Sequence, residues 1–227
     1  MLRFFGDTLK SFKDVTGDFL SALALYALIS KVVFFIVNKD YFKSVGLSKY
    51  LKEDIDAIRN KHKHNDRKAN EEITNLLLRN RYGMLGSAML FLVEGLLVLL
   101  IGLVLKDALI YTHAASIDEF TVLNIPLTTA PIAALTAKEF SIGNAIAMFI
   151  FLIALSIQIW LDIRMENVRL VEQDKVDRVI WIIAAGMCAL LPSGASVVML
   201  CYKVMDVLLY VFYSKKKYQR LPNKEIK

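Results

Sequence analysis

Long apolar runs, each carrying at most two charged side chains, constrain this chain more than any other feature. Phe19–Val37 is apolar apart from Ser21, Ser30 and Lys31, and residues 83–105 carry one charge, Glu94. Residues 141–161 carry none; residues 179–191 form a short run that ends at Pro192-Ser193-Gly194; residues 195–213 contain Lys203 and Asp206. A helix needs about 20 apolar residues to cross a hydrocarbon core, and a soluble core of this length needs a polar covering. With 56% apolar and 22% charged residues the chain lacks one, so two soluble domains are excluded. The expected class is all-α: a polytopic membrane protein with about five transmembrane helices. The short run is counted as a span because the Pro-Ser-Gly turn reads as a tight helical hairpin. Short fourth and fifth helices are expected to thin the bilayer around them.

The connections give the orientation. Residues 38–82 carry eleven Lys and Arg, 162–178 four and 214–227 six, whereas 106–140 carry only Lys106 and Lys138. Five spans place the three basic connections together, and Lys/Arg-rich loops stay in the cytoplasm. The N-terminus is then outside, the C-terminus cytoplasmic, and the location the cell (plasma or inner) membrane. The net charge of +6 therefore reads as a topology signal rather than as DNA binding. No small-residue cleavage site follows an early apolar run, so no cleavable signal is expected.

Residues 38–82 are patterned. Leu47, Leu51, Ile55 and Ile58 recur at helical spacing, as do Ile73, Leu76 and Leu77 after the polar break at residues 61–66. This predicts a cytoplasmic helical hairpin with Asp66 near the second helix start; closure of the two stripes on each other is its simplest purpose. Residues 1–18 set Leu2, Phe4, Phe5, Leu9 and Phe12 against Asp7, Lys10 and Lys13, the pattern of an interfacial amphipathic helix on the outer surface. The outer loop 106–140, with Pro126 and Pro131, is expected to lie on the interface too.

Charged groups inside spans are costly and mark function by default. Lys31 lies roughly 9 Å from the end of its span at 1.5 Å per residue; the plain alternative is a lysine that snorkels to the surface. Glu94, at the middle of its run, is too short to do so. Lys203 and Asp206 share a helix face and suit an internal pair. The four sum to zero charge, which favours one shared polar cavity over separate accidents. Tyr26 and Ser30, four apart, add a polar strip, although a span serine also bonds its own backbone.

Catalytic patterns are missing. His62, His64 and His113 pair with no membrane serine, and there is no HExxH or phosphate-cradling glycine loop. The 62–64 tip reads as a solvated turn, and Trp160 and Trp181 as interfacial anchors. Cys188 and Cys201 have no CxxC spacing. No enzyme, metal or cofactor is expected.

The order of one span, a charged hairpin, a second span, an outer loop, three spans and a basic tail resembles the YidC/Oxa/Alb family of membrane protein insertases. Ile29-Ser30-Lys31 is similar to the family segment with a basic residue, usually arginine, inside the first core span. Tyr82-Gly83-Met84-Leu85-Gly86-Ser87 resembles its Asn-Pro-Leu-Gly-Gly approach to the second. Leu190-Leu191-Pro192-Ser193-Gly194 is similar to its Phe-Pro-Ser-Gly-type turn before the last, and 213–221 to its basic exit. The resemblance covers residues 19–221. Lys31 replaces the arginine, Glu94 falls where glutamine is common, and Lys203 and Asp206 fall where uncharged residues are common. The resemblance implies an insertase that moves short hydrophilic segments of nascent membrane proteins through a cytoplasm-open groove and releases their spans into lipid. The groove residues would be Lys31, Glu94, Lys203, Asp206, Ser30 and Tyr26, with the ribosome, reached by the basic tail, and a Sec-type translocon as implied partners. A small ion or solute transporter, or a non-catalytic assembly factor using the same charges, are the alternatives.

Overall fold

The structure, a computed structural model, describes residues 1–37, 51–79, 84–112, 114, 116–122, 125–133, 142–165, 182–183, 185–186 and 189–215. The chain is mostly helical. Helices α1 (Leu2–Thr16) and α2 (Phe19–Val37) are followed by α3 (51–61), α4 (Asp66–Arg79), α5 (Met84–Lys106) and the short α6 (Ala108–Thr112). A 3-10 turn (Ile117–Phe120) and strands β1 (Thr121–Val122) and β2 (Ile125–Pro126) precede α7 (Ile142–Met165) and α8 (Ser193–Lys215). Among the described residues, three stretches, Phe19–Ile36, Ile142–Leu161 and Ser193–Phe212, are long and apolar enough to cross a membrane, which marks the chain as a membrane protein. Helix α5 is 23 residues long with Glu94 as the only charge before Lys106.

Asp18 starts α2. Its carboxylate accepts from the Ser21 backbone N–H (2.8 Å) and from the Ser21 hydroxyl (2.7 Å), satisfying a donor that the first helical turn leaves orphaned. Those bonds hold the Asp18 carboxyl below the usual carboxylate range. Gly17 makes the reversal from α1 possible. Its φ of 92° is a left-handed conformation open to glycine, and its N–H bonds the Lys13 carbonyl at 2.7 Å.

The reversal lays α1 on α2, α5 and α6, with Gly6 and Leu9 buried. A Cβ at Gly6 would lie 2.0 Å from the Tyr111 carbonyl oxygen, so only glycine allows this approach. Residues 1–18 therefore form a packed element as well as an amphipathic one. The segment after α6 is likewise built in. Phe120 stacks on Phe19 with centroids 4.1 Å apart, Lys13 pairs with Glu119 at 2.9 Å, and Leu127 is fully buried. The Thr129 carbonyl accepts from the Ser193 backbone (2.7 Å) and hydroxyl, and the Leu127 carbonyl accepts from Gly194 N–H (2.9 Å). These bonds serve the first turn of α8, whose N–H groups have no helical partner. The reason is burial: Phe120, Ile125 and Leu127 are too apolar to leave on a surface. Residues 134–140 of the expected loop lie outside the described residues.

Helix α8 packs on α2, α5 and α7. It starts at Ser193 and runs 23 residues, so the last helix is full length and not short as expected. The segment 179–191 is described only at 182–183, 185–186 and 189–191, helical up to a bend at Leu191; Trp181 and Cys188 lie outside the described residues, as do 166–178 and the tail 216–227. Trp160 meets Tyr210 edge to face at 6.0 Å.

Between α3 and α4 the chain turns at residues 62–65. Leu51 and Ile55 share a buried cluster with Ile73 and Leu77, flanked by Ile58 and Leu76. The cap of α4 is Asn65, whose side-chain oxygen accepts from Lys68 N–H at 3.1 Å; Asp66 is the first helical residue. Lys61 meets Glu72 at 3.0 Å, and His62 Nε2 meets the same carboxylate at 3.0 Å. Residues 38–50, including Leu47, lie outside the described residues.

Candidate functional site

Helical rise sets the level of the intramembrane charges. At 1.5 Å per residue Lys31 is roughly 18 Å along α2 from Phe19, Glu94 roughly 18 Å along α5 from Lys106, and Lys203 and Asp206 roughly 15 and 20 Å along α8 from Ser193. Leu23, a turn into α2, meets Leu105, Leu127 and Gly194 at one end of the bundle, so the four charges fall in one layer.

In that layer they form a ring of alternating sign. Lys31 Nζ contacts Glu94 Oε1 and lies 2.5 Å from Asp206 Oδ1. Lys203 Nζ lies 3.5 Å from Glu94 Oε2 and 3.4 Å from Asp206 Oδ2. Each carboxylate bridges both ammonium groups with its two oxygens. Lys31 is 0% exposed, so it does not snorkel. Lys203 and Asp206 form the pair expected within α8, and each also reaches across to another helix. Alternation is what makes the layer tolerable: an uncompensated buried charge costs several kcal/mol, and here every charge touches two of opposite sign.

Tyr202 completes the layer. Lys31 Nζ stands 5.5 Å from the centre of its ring, within cation–π range. Its hydroxyl is 2.7 Å from Ser30 Oγ, which also lies 2.8 Å from the Tyr26 carbonyl. A hydroxyl has one proton, so Ser30 donates to its own helix and Tyr202 donates to Ser30. Tyr26 sits a turn further into the packed half. Its ring meets Phe5 with centroids 6.3 Å apart, and its buried hydroxyl has no hydrogen-bond partner among the described residues. The expected polar strip is thus divided. Ser30 belongs to the charge layer through Tyr202, whereas Tyr26 belongs to the core.

Sequence reasoning missed Tyr202 and the buried Gln158 of α7. Tyr202 precedes Lys203 as Ser30 precedes Lys31, and a hydroxyl beside an ammonium in both spans was the available signal.

The ring also divides the bundle. Towards the Phe19, Lys106 and Ser193 ends, α2, α5 and α8 carry buried residues nearly every turn, among them Leu23, Ala27, Val98, Ile101, Ala195 and Val198. Residues 32–36 of α2, Leu92 and Val93 of α5, and 204–212 of α8 include none that is buried, whereas α7 keeps Gln158 and Leu161 buried beside Trp160 and Tyr210. Val33, Ile36, Leu92, Leu208 and Phe212 are all exposed there. The charge layer is the floor of the packed half.

No group of three metal-ligating side chains occurs among the described residues; His113 lies outside them. No family model, curated protein or solved structure matches the chain.

Proposed function

We propose that this chain is a membrane protein insertase of the YidC/Oxa/Alb type, with five spans. The fifth comes from residues 179–191, and α3 and α4 form a cytoplasmic hairpin. One observation carries the reading: two lysines and two carboxylates in alternation close the packed half of the bundle, and residues 32–36 of α2 and 204–212 of α8, beyond that layer, include no buried side chain. Lys/Arg-rich connections flank that second half, so the positive-inside rule turns it to the cytoplasm.

The mechanism follows from solvation. A polar tail costs several kcal/mol for each unsatisfied backbone group it carries into hydrocarbon. A tail that enters from the basic side reaches the ring before it meets packed apolar core, and there its charges and carbonyls find partners of either sign. The short tail then completes the crossing while the adjoining apolar segment moves sideways into lipid, where its burial drives the step. Tyr202 and Ser30 hold the upper face of the layer, and the hairpin meets the substrate first. No nucleotide is needed, because burial of the substrate's own span supplies the free energy. The basic tail 214–227 suits contact with ribosomal RNA.

Reconstitution tests this. Liposomes holding the purified protein are expected to insert a single-span substrate with a short polar tail, scored by protection of the tail from added protease. Protection no greater than in protein-free liposomes overturns the reading. Flux of small ions in the same vesicles, without insertion, replaces it with a transporter.

A further inference from the structure

The ring is neutral, but its members are not presented equally. Lys31 is fully enclosed, touches both carboxylates closely and lies against the Tyr202 ring. Lys203 lies farther from the same two carboxylates, at 3.4 and 3.5 Å. The most exposed side chain of the four is Asp206, at 17% against 0% for Lys31 and 7% for Glu94 and Lys203. Asp206 also lies nearly a turn beyond Lys203 towards the Lys215 end, where residues 204–212 of α8 include none that is buried.

We propose that the ring is a receptor for a cationic group, an ammonium or guanidinium on the substrate's translocated segment, which takes the place of Lys203 between Glu94 and Asp206. The assignment rests on the insertase reading and names the substrate class that it favours. A segment arriving from the open side meets a carboxylate first. Exchange of one cation for another keeps two positive and two negative charges in the layer, with the displaced Lys203 ammonium swinging on its four-carbon stem towards the side from which the incoming cation arrives. Lysine suits the displaced role, being a point charge on a flexible four-carbon stem. An incoming carboxylate fares worse. It must pull Asp206 or Glu94 from the enclosed Lys31, or stand as a third anion beside two cations, and like charges brought together in an interface cost several kcal/mol. Selection therefore works by attraction of one sign and rejection of the other.

The test uses the full chain in zwitterionic nanodiscs, with empty discs as control, and three fluorescent single-span peptides that differ at one tail position: Lys, Gln or Asp. The Lys peptide is expected to bind about tenfold more tightly than the Asp peptide, a ratio equal to about 1.4 kcal/mol. Lys203→Met, which removes the competing cation, is expected to widen the ratio, and Asp206→Asn to bring it close to one. Equal affinities, or tighter binding of the Asp peptide by the wild type, overturn the cation receptor; this comparison needs no variant to fold. Insertion of the Gln peptide into liposomes is scored in parallel. Normal insertion with no cation preference sinks the receptor and leaves the insertase standing. Cation preference without insertion of any peptide keeps the receptor and removes the insertase.

Discussion

At the scale of single residues, compensation decides. Each charge in the ring is stabilised only by its neighbours, so deleting one should cost more than deleting a matched pair. Lys31→Met leaves Glu94 and Asp206 with Lys203 alone, and the expected destabilisation is about 3–5 kcal/mol. Lys31→Met combined with Glu94→Gln restores neutrality with Lys203 and Asp206 still paired, and should recover most of that loss. Unfolding of the single and double variants in micelles measures both, and the coupling between the sites is the checkable quantity. Asp18 offers a test outside the spans. Asp18→Ala should cost about 1 kcal/mol through loss of the α2 cap. The folded carboxyl lies below its unfolded value, so the contribution is fully present at neutral pH. It is lost as pH falls below the usual carboxylate range and through the folded value. The Ala variant should therefore show less acid destabilisation than the wild type in a pH series of unfolding midpoints.

At the scale of elements, close approaches decide the fold. The α1–α6 contact depends on Gly6, where a Cβ would strike the Tyr111 carbonyl. Gly6→Val is expected to lift α1 from the bundle at a cost of about 1–3 kcal/mol, seen as faster amide exchange in α1 with α7 and α8 unchanged. Helices α3 and α4 meet through fully buried Ile55, Ile73 and Leu77, and Ile73→Ala should loosen that pair alone by about 2–5 kcal/mol. Much of this scale was legible in the sequence. Run lengths gave α2 and α7 to within a few residues, and the stripes at Leu51, Ile55, Ile73 and Leu77 gave the α3–α4 contact. Packing of the segment after α6 was not legible, because what seats Phe120 on Phe19 and Thr129 on Ser193 is contact between residues far apart in the chain. The start of α4 was legible too: Asp66 is its first residue, and Asn65 just before it supplies the cap.

At the scale of the whole molecule, the four charges drew together as their zero sum suggested, but their arrangement was not foreseen. A sum gives neutrality; it does not say that each carboxylate spans both lysines, or that Lys31 has no exposure at all. The same limit explains Tyr26. Its four-residue spacing from Ser30 placed both on one face, but spacing is silent on the level at which the bundle changes from packed core to charge layer. That change of level is the feature a working insertase would use, with an ionised floor reached from the basic side and an apolar half beyond it.

Insertion by the neutral double variant is the sharpest test of that floor. Lys31→Met with Glu94→Gln should remain folded, because its remaining ring members stay paired, and it separates the chemistry of the layer from the stability of the bundle. In liposomes carrying equal amounts of folded protein, protease protection of a single-span substrate's tail should be clear for the wild type and fall to the protein-free level for the double variant. Protection at the wild-type level by the folded double variant would contradict a role for the intact ring in moving the tail across the bilayer.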